Sequence, residues 1–395
     1  MRWEKVKLGD IATFSNGINF NKTAYAKGIK LIGVSNFGDR FYPDYSQLQE
    51  VKKDIVRLED CLRNGDIVFV RSNGNKELVG RCMLVKNPTE RVTYSGFCIR
   101  ARLNDTDRYD PVYFTYYFKS KAFRRAVSGT AVGANIQNLS QARLSNHECR
   151  IPSIEVQHRI ADILSVYDDL IENNQKQIKL LEEAAQRLYK EWFVNLRFPG
   201  HENTEIVDGV PEGWNEKTLS QVADVIMGQS PKSEFYNSEK KGLPFHQGVG
   251  SYGVRFVMDD IYSTSYTRIA EPNSILFSVR APVGRLNITK NKVVIGRGLA
   301  AINQTDGCQS YLYYLLKNRF FKDNIVGNGS IFASVSKDEL LNQKFLIPER
   351  NLMMQFEKIV SQMDKQIENL DSKNKKLIEA RDRLLPKLMS GEVEV

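Results

Sequence analysis

The chain has 395 residues, of which 42% are hydrophobic and 26% are charged. This length exceeds what one domain usually holds, and the balance is that of a globular protein, which excludes a disordered or fibrous chain. Lys and Arg total 56 against 47 Asp and Glu, a formal net charge of +9. A basic balance favours polyanionic partners such as nucleic acid, because neutralised phosphates release counterions.

The cysteines and histidines favour a reduced cellular compartment and argue against a metal site in the protein. The cysteines are odd in number and form no CxxC pair, and the histidines have no ligand spacing. The N-terminus lacks the apolar core of a signal peptide, and no run reaches the roughly 18 apolar residues of a membrane span. We therefore expect a cytoplasmic protein with no metal site and no membrane partner. The residues concerned are Cys61, Cys82, Cys98, Cys149, Cys308, His147, His158, His201 and His246.

Residues 1–150 are predicted to form a globular α+β segment. Short apolar runs at 30–34 and 66–70 are bounded by Gly, Asn or Asp, which is typical of strands, and 111–123 is an aromatic helical stretch. Polar loops follow at 71–76 and 128–138. Arg, Asn and Gln can read guanine and adenine edges, whereas Ser, Thr and Lys suit phosphates; the alternative is ordinary surface turns. The candidate DNA contacts are Arg71, Asn73, Lys76, Thr130, Asn135, Gln137 and Asn138.

A heptad pattern follows, in a helical region that covers 151–197. Leu164, Ile171 and Ile178 occupy one seam position, and the spacing to the second position alternates between three and four residues. The pattern predicts a helix from Ile160 to Trp192, which is roughly 50 Å long at ~1.5 Å per residue.

A linker at 198–212 leads to a second globular segment, 213–347, that repeats the first. Trp3 recurs as Trp214 and Gly17 as Gly228, both 211 positions later. A polar loop at 280–285 corresponds to the loop at 71–76. A second polar loop, at 328–334, precedes the end of the segment, as the loop at 128–138 does in the first segment. The candidate DNA contacts here are Gln229, Lys232, Arg280, Arg285, Asn328 and Ser330.

The last region, 348–395, repeats the helix without a gap. Its matches lie 196 positions after the first helix, as for Ile171 and Ile367. Pro386 has no amide hydrogen, so we expect the helix to kink or stop near Leu385, which leaves the Leu388 layer doubtful.

Each helix carries one seam asparagine, Asn174 or Asn374, a residue that commonly fixes the register of a coiled coil. Opposing the two in an antiparallel pair also brings Ile178 to Leu370 and Ile171 to Leu377. The same register opposes Tyr167 and Arg381, where a stacking contact is expected. The predicted fold is therefore α+β, with two divergent globular segments separated by two long helices that form an antiparallel coiled coil, in a pseudo-twofold internal repeat.

Motifs for catalysis are missing from the sequence. It has no Asn/Asp-Pro-Pro-aromatic tetrapeptide of DNA methyltransferases, no G-x-G-x-x-G and no phosphate-binding G-x4-G-K-[ST]. We expect a non-catalytic chain that binds no cofactor itself.

The sequence resembles the specificity subunits of type I restriction–modification systems over essentially its whole length. The resemblance depends on 181–193 (LEEAAQRLYKEWF), Phe198-Pro199-Gly200, 211–214 (PEGW) and 377–391 (LIEARDRLLPKLMSG). It implies that 1–150 and 213–347 are target-recognition domains, each of which reads one half of a split, asymmetric site in double-stranded DNA.

The resemblance also implies partners. The paired helices would set the unread gap and dock two methyltransferase (modification) subunits, which bind S-adenosylmethionine, and restriction/translocase subunits would complete the complex. Two alternatives stay open at this stage: a self-contained DNA-modifying enzyme, and a coiled-coil scaffold that makes no contact with DNA.

Overall fold

The computed structural model describes residues 3–38, 40–75, 78–127, 138–320 and 334–395. It divides into two compact units. The first consists of Met1–Gln175 and Ser372–Val395, and the second of Lys176–Asp371. Both boundaries fall inside the long helices, so each unit contains part of each helix. No helix among the described residues is long and apolar enough to cross a membrane.

The first unit contains short strands and helices followed by the start of a long helix. Its elements are β1 (Glu4–Lys7), α1 (Leu8–Ile11), β2 (Ala12–Asn16), β3 (Tyr25–Ile32), β4 (Gln49–Val51), β5 (Ile67–Val70), β6 (Cys82–Leu84), β7 (Val92–Tyr94), β8 (Cys98–Leu103), α2 (Pro111–Lys119), α3 (Lys121–Val127), α4 (Gln141–Ser145), β9 (Glu148–Ile151) and the long helix α5 (Ile154–Phe193).

Three sheets organise the first unit. The central sheet has the order β2-β8-β5-β6 and is antiparallel, a second has the order β4-β3-β7 with β3 parallel to β7, and β1 pairs with β9. Alternate residues of β5 belong to different cores. Phe69 packs on Phe118 of α2, with ring centroids 5.0 Å apart, whereas Val68 and Val70 join Val92 in a separate cluster. Both faces of the central sheet are thus covered, which explains the unbroken apolar run of this strand.

The second unit repeats this plan in a single continuous stretch of chain. Its elements after α5 are β10 (Ile206–Val207), β11 (Val210–Pro211), β12 (Asn215–Thr218), α6 (Leu219–Val222), β13 (Ala223–Met227), β14 (Tyr236–Asn237), β15 (Leu243–His246), β16 (Tyr262–Ser263), β17 (Ile269–Ala270), β18 (Ile275–Ser278), β19 (Leu286–Ile288), β20 (Val293–Ile295), β21 (Leu299–Gln304), α7 (Gln309–Phe320), α8 (Lys337–Leu341), β22 (Lys344–Ile347) and the long helix α9 (Arg350–Ser390).

The sheets of the second unit correspond to those of the first. The order β13-β21-β18-β19 matches the central sheet, β12 pairs with β22 as β1 does with β9, and β15 runs parallel to β20 as β3 does to β7. Ile275 and Phe277 of β18 face one core and Leu276 faces another. The region 198–212 contains the β10–β11 hairpin, and Phe198 is buried in the core of this unit.

The long helices pack against each other within each unit. In the first unit, Ile160 and Leu164 of α5 share a core with Leu385 and Leu388 of α9. In the second unit, Trp192 of α5 contacts Phe356 of α9, with ring centroids 6.0 Å apart. Early α5 therefore meets late α9, and late α5 meets early α9. The predicted α+β fold with antiparallel long helices is confirmed.

The expected stop at Pro386 was wrong, because α9 continues through this proline to Ser390. Leu385 and Leu388 are 8% and 1% exposed, so the last turn is held by burial in the core of the first unit. Full burial of one leucine contributes about 1.5–3 kcal/mol. Two such side chains offset the cost of about 3 kcal/mol for a proline inside a helix.

Candidate nucleic-acid interface

In the first unit, several polar loops meet at the edge where β5 ends. The amide of Arg71 donates to the carbonyl of Phe97, in the turn between β7 and β8, at 2.8 Å. Ser72 forms an isolated antiparallel bridge with Asn138. The amide of Ile18, just after β2, donates to the carbonyl of Tyr94 at 2.9 Å. Loops that are far apart in the sequence therefore form one polar edge.

The side chains at this edge mix cations, amides and one exposed aromatic ring. Arg71 is half-buried, and its Nη1 donates to the carbonyl of Gly96 at 3.2 Å. Asn73 accepts from the amide of Asn75 at 2.7 Å, which makes a local turn. Asn138 is exposed, and so is Phe97, at 63%. The candidates Lys76, Thr130, Asn135 and Gln137 lie outside the described residues.

The second unit builds the same edge at the end of β18. The amide of Val279 donates to the carbonyl of Gly298 at 3.0 Å, and the amide of Gln229 donates to the carbonyl of Ile295 at 3.0 Å. Arg280 forms an antiparallel bridge with Ser334. These contacts reproduce those of Arg71, Ile18 and Ser72 in the first unit.

The candidates of the second edge are mostly solvent-facing. Gln229, Lys232, Arg280 and Arg285 are all exposed. The Nζ of Lys232 lies 4.0 Å from a carboxylate oxygen of Glu234. Asn328 and Ser330 lie outside the described residues.

The structure aligns the loop after β5 with the loop after β18 in a way that differs by one residue from the alignment that the sequence indicated. That alignment set Arg71 against Arg280, but the bridges show that Arg280 occupies the place of Ser72. The counterpart of Arg71 is Val279, which is only 4% exposed. Both strands are four residues long, and β5 ends at Val70 and β18 at the corresponding Ser278, so Arg71 and Val279 each directly follow a strand end. The two edges therefore present their guanidinium groups from different positions.

Sequence reasoning missed three exposed side chains at these edges: Phe97 in the first unit, and Gln247 and Arg297 in the second. Arg297 lies in the turn between β20 and β21, and Gln247 follows β15. One signal could have revealed the turn, because Gly296-Arg297-Gly298 places a single large side chain between two glycines. Within the described ranges, no group of three or more His, Cys, Asp or Glu is arranged to hold a metal ion.

Buried polar clusters join each globular part to its share of the helices. In the first unit, the hydroxyl of Tyr116 donates to Oδ2 of Asp168 at 2.5 Å, and Arg381 of α9 also pairs with Asp168. Arg381 thus binds the neighbour of Tyr167, the residue that the register had set opposite it. Burial and the Asp168 carboxylate raise the pKa of Tyr116 far above its ordinary value, so the hydroxyl keeps its proton and remains a donor.

The second unit has the equivalent tyrosine and aspartate but takes its arginine from elsewhere. Tyr314 donates to Oδ1 of Asp364 at 3.5 Å, and Asp364 lies 196 positions after Asp168. The arginine is Arg255, from the loop before β16, which donates to Oδ1 of Asp364 at 2.6 Å. Its guanidinium carbon also lies 3.7 Å from the ring centroid of Tyr313. We call this group, with Glu182 at 3.5 Å, the Arg255 cluster.

The long helices also meet through their seam asparagines and through apolar side chains next to them. In the first unit, Nδ2 of Asn174 donates to Oδ1 of Asn374 at 2.8 Å; Ile171 is buried and Leu377 is half-buried there. In the second unit, Ile178 and Leu370 belong to one apolar cluster.

Glu357 of α9 caps the N-terminus of α7. It accepts from the amides of Ser310 and Tyr311 at 3.2 and 3.0 Å. Burial raises the pKa of the Glu357 carboxyl group above its ordinary value, although these two amides oppose the shift.

Comparison with known proteins matches both halves of the chain. A family model for the type I restriction modification DNA specificity domain covers residues 1–183 and 211–380. The type I restriction enzyme MjaIX specificity subunit of Methanocaldococcus jannaschii is 28% identical, over 80% of this chain and 76% of its own. The type I restriction enzyme HindI specificity subunit of Haemophilus influenzae is 24% identical over 99% of both chains.

A solved structure shows the same fold. The type I restriction-modification system S subunit from M. genitalium matches with a TM-score of 0.56 at 18% identity, over 98% of this chain and 96% of its own. The family model covers most of the chain in two copies, and the chain therefore belongs to the type I restriction modification DNA specificity family.

Proposed function

We propose that this chain is the DNA-reading subunit of a type I restriction–modification complex, and that each globular part reads one half of a split, asymmetric site. One observation carries the proposal. Each of the two segments matched by the family model ends its central buried strand at an edge of polar loops that bear Arg, Asn or Gln. These side chains hydrogen-bond to guanine and adenine edges, and the loop amides and hydroxyls suit phosphates.

The division of labour follows the internal repeat. Residues 1–150 and 213–347 are the two reading domains, 151–197 and 348–395 are the helical spacers, and 198–212 joins the halves. In the first domain Arg71, Asn73 and Asn138 contact DNA. In the second domain Gln229, Lys232, Arg280 and Arg285 do so. The two edges carry different side chains on matching frames, which supports a different half-site for each domain.

The partners in this proposal supply the chemistry. Two methyltransferase subunits that carry S-adenosylmethionine dock on the paired helices, and restriction/translocase subunits join them for cleavage. This chain contributes sequence recognition and spacing and performs no reaction itself. The five buried cysteines are free thiols, which supports a reduced, cytoplasmic setting.

Methylation mapping tests the proposal directly. The chain is co-expressed with its cognate methyltransferase subunits in a host that lacks other DNA methylation, and the genome is read by single-molecule methylation profiling. We expect one split motif with two half-sites and a fixed gap. A continuous motif, or methylation that does not depend on this chain, would contradict the proposal.

A purified preparation distinguishes the alternatives. Methyl transfer by this chain alone would favour a self-contained enzyme. Binding of the assembled complex to DNA should weaken steeply with salt, because phosphate contacts release counterions. Negligible, salt-insensitive binding would favour a scaffold instead.

A further inference from the structure

The turn between β20 and β21 in the second unit holds its backbone in one position. The amide of Gly296 donates to the carbonyl of His246 at 2.8 Å, and the amide of Gly298 donates to the carbonyl of Gln247 at 3.2 Å. The amide of Arg297 donates to Oγ of Ser230 at 3.2 Å. Contacts to two separate loops therefore fix three consecutive residues.

Both glycines of this turn pack closely against the backbone of Gln247. A Cβ on Gly296 would lie 3.0 Å from Cα of Gln247, and a Cβ on Gly298 would lie 2.5 Å from its carbonyl oxygen. The 2.5 Å contact would force the backbone to move, and the 3.0 Å contact is tighter than ordinary packing, so a side chain at either position would push on the backbone of Gln247. The turn thus presents one side chain, that of Arg297, from a rigid base.

The guanidinium group of Arg297 is exposed, and among the described residues it makes no hydrogen bond or ion pair. This differs from Arg255, whose guanidinium is buried and bound by Asp364. Gln229 and Gln247, both exposed, belong to the loops that hold the turn. Within the part of the chain that the structure describes, this cation has no partner, and it projects from a backbone fixed by the loops of Gln229 and Gln247, so it is available to a ligand.

The equivalent turn of the first unit has no such group. Its central residue is Gly96, whose amide donates to the carbonyl of Ile18 at 2.7 Å and whose own carbonyl accepts from Arg71. A Cβ at this position would collide with the side chain of Asn19. We call the polar edges at the ends of β5 and β18 the reading edges. Their backbones correspond at this position, but their side chains differ.

We propose that Arg297 is a specificity-determining residue that reads a guanine in the half-site of the second domain. The inference rests on the proposed function. A guanidinium group binds O6 and N7 of guanine through two parallel hydrogen bonds, and this geometry requires a well-placed donor. The pinned turn supplies that placement. A phosphate contact would need only charge and would not discriminate between bases.

The test uses the full chain assembled with its cognate methyltransferase subunits. Arg297→Ala and Arg297→Gln are compared with Lys217→Ala, which removes the same charge from an exposed residue of β12. Lys217 comes before β13, whereas Gly228, at the polar edge, follows the end of β13. The readouts are the methylated motif and the binding of duplexes that carry each base at each position of the half-site. Unfolding curves establish that the variants fold, which an exposed position should permit.

We expect Arg297→Ala to relax one guanine position in one half-site. Discrimination at that position should fall on the order of 10- to 100-fold, the usual value of one bidentate base contact. Arg297→Gln should move the preference at this position towards adenine, and Lys217→Ala should leave the motif unchanged. A uniform loss of affinity with an unchanged motif would assign Arg297 to a phosphate and overturn the proposal, as would no change at all. If the unmodified complex methylates no split motif, the proposed function fails first, and that outcome is seen before any variant is made.

Discussion

Removal of Arg255 should destabilise the second unit, because it leaves the other charges of the Arg255 cluster without their partner. Arg255 is 3% exposed and sits between Asp364 and Glu182. Removing one partner of a buried ion pair costs about 3–5 kcal/mol, because the remaining charges lose their compensation. The side chains of Asp364 and Glu182 are 20% and 18% exposed, so water partly rehydrates them. We therefore expect Arg255→Met to lower the free energy of unfolding by about 3 kcal/mol, at the lower end of that range.

Urea unfolding followed by tryptophan fluorescence measures this loss, because Trp192 and Trp214 both lie in the core of the second unit. With a urea slope of about 1–3 kcal/mol per molar, the midpoint of that transition should fall by about 1 M or more. The control is Lys344→Ala, which removes an exposed ion pair with Glu216 and should shift the midpoint little, because exposed ion pairs contribute little to stability.

A double-mutant cycle identifies the partner of Arg255. If the guanidinium acts through Asp364, Arg255→Met should cost less in an Asp364→Asn background than it does alone. A midpoint shift for Arg255→Met no larger than that for Lys344→Ala would refute the reasoning. Equal costs in the two backgrounds would show that Glu182 or the stacking on Tyr313 carries the effect instead.

Three further predictions concern the helices and the reading edges. Asn374→Leu should lower the free energy of unfolding by about 1–3 kcal/mol, because it leaves the amide of Asn174 without its hydrogen-bond partner. Adding Asn174→Leu should recover most of this loss. If urea unfolding shows no recovery, this explanation is excluded. Because the pKa of Glu357 is raised, the folded chain binds this proton more tightly than the unfolded chain does. The resulting stabilisation is present at acidic pH and is lost as the pH rises above about 4.5. The stability of the chain relative to Glu357→Gln should therefore fall from pH 4.5 to 7, and a difference that does not change with pH would contradict the burial. Gly228→Ala should disturb only the second half-site and Gly17→Ala only the first, because each Cβ would collide with the backbone of the adjacent turn in its own unit. Methylation profiling measures both half-sites. A variant that alters both would argue against independent reading domains.

The helices were the most predictable part of the chain, because a period of 3.5 residues is set by local sequence alone. The seam positions Ile178 and Leu370 could be read from it. The continuation of α9 past Pro386 could not, because the local rule predicts a kink or a stop, whereas the helix is kept by the burial of Leu388 against residues more than 200 positions earlier. Where tertiary burial outweighs local propensity, the sequence pattern fails.

The reading edges were predictable as loops but not as arrangements. Arg71 and Arg280 both follow a strand, yet the structural correspondence differs by one residue, because it is set by strand pairing and not by the appearance of the loop. Arg297 was overlooked because a Gly-Arg-Gly turn resembles any surface turn until the backbone around it is seen. Arg255 was invisible for a related reason, since its partner Asp364 lies 109 residues further along the chain.

The path of the chain through the two units has a consequence for synthesis. Proteins usually fold from the N-terminus as they leave the ribosome. Here the second unit is a single stretch, Lys176–Asp371, whereas the first needs Ser372–Val395 to complete it. Leu385 and Leu388 can therefore pack on Ile160 and Leu164 only after the second unit has been made. A ribosome that stops shortly after Asp371 would release a whole second unit attached to a first unit that lacks Ser372–Val395, so an early stop in α9 would damage the first reading domain and spare the second.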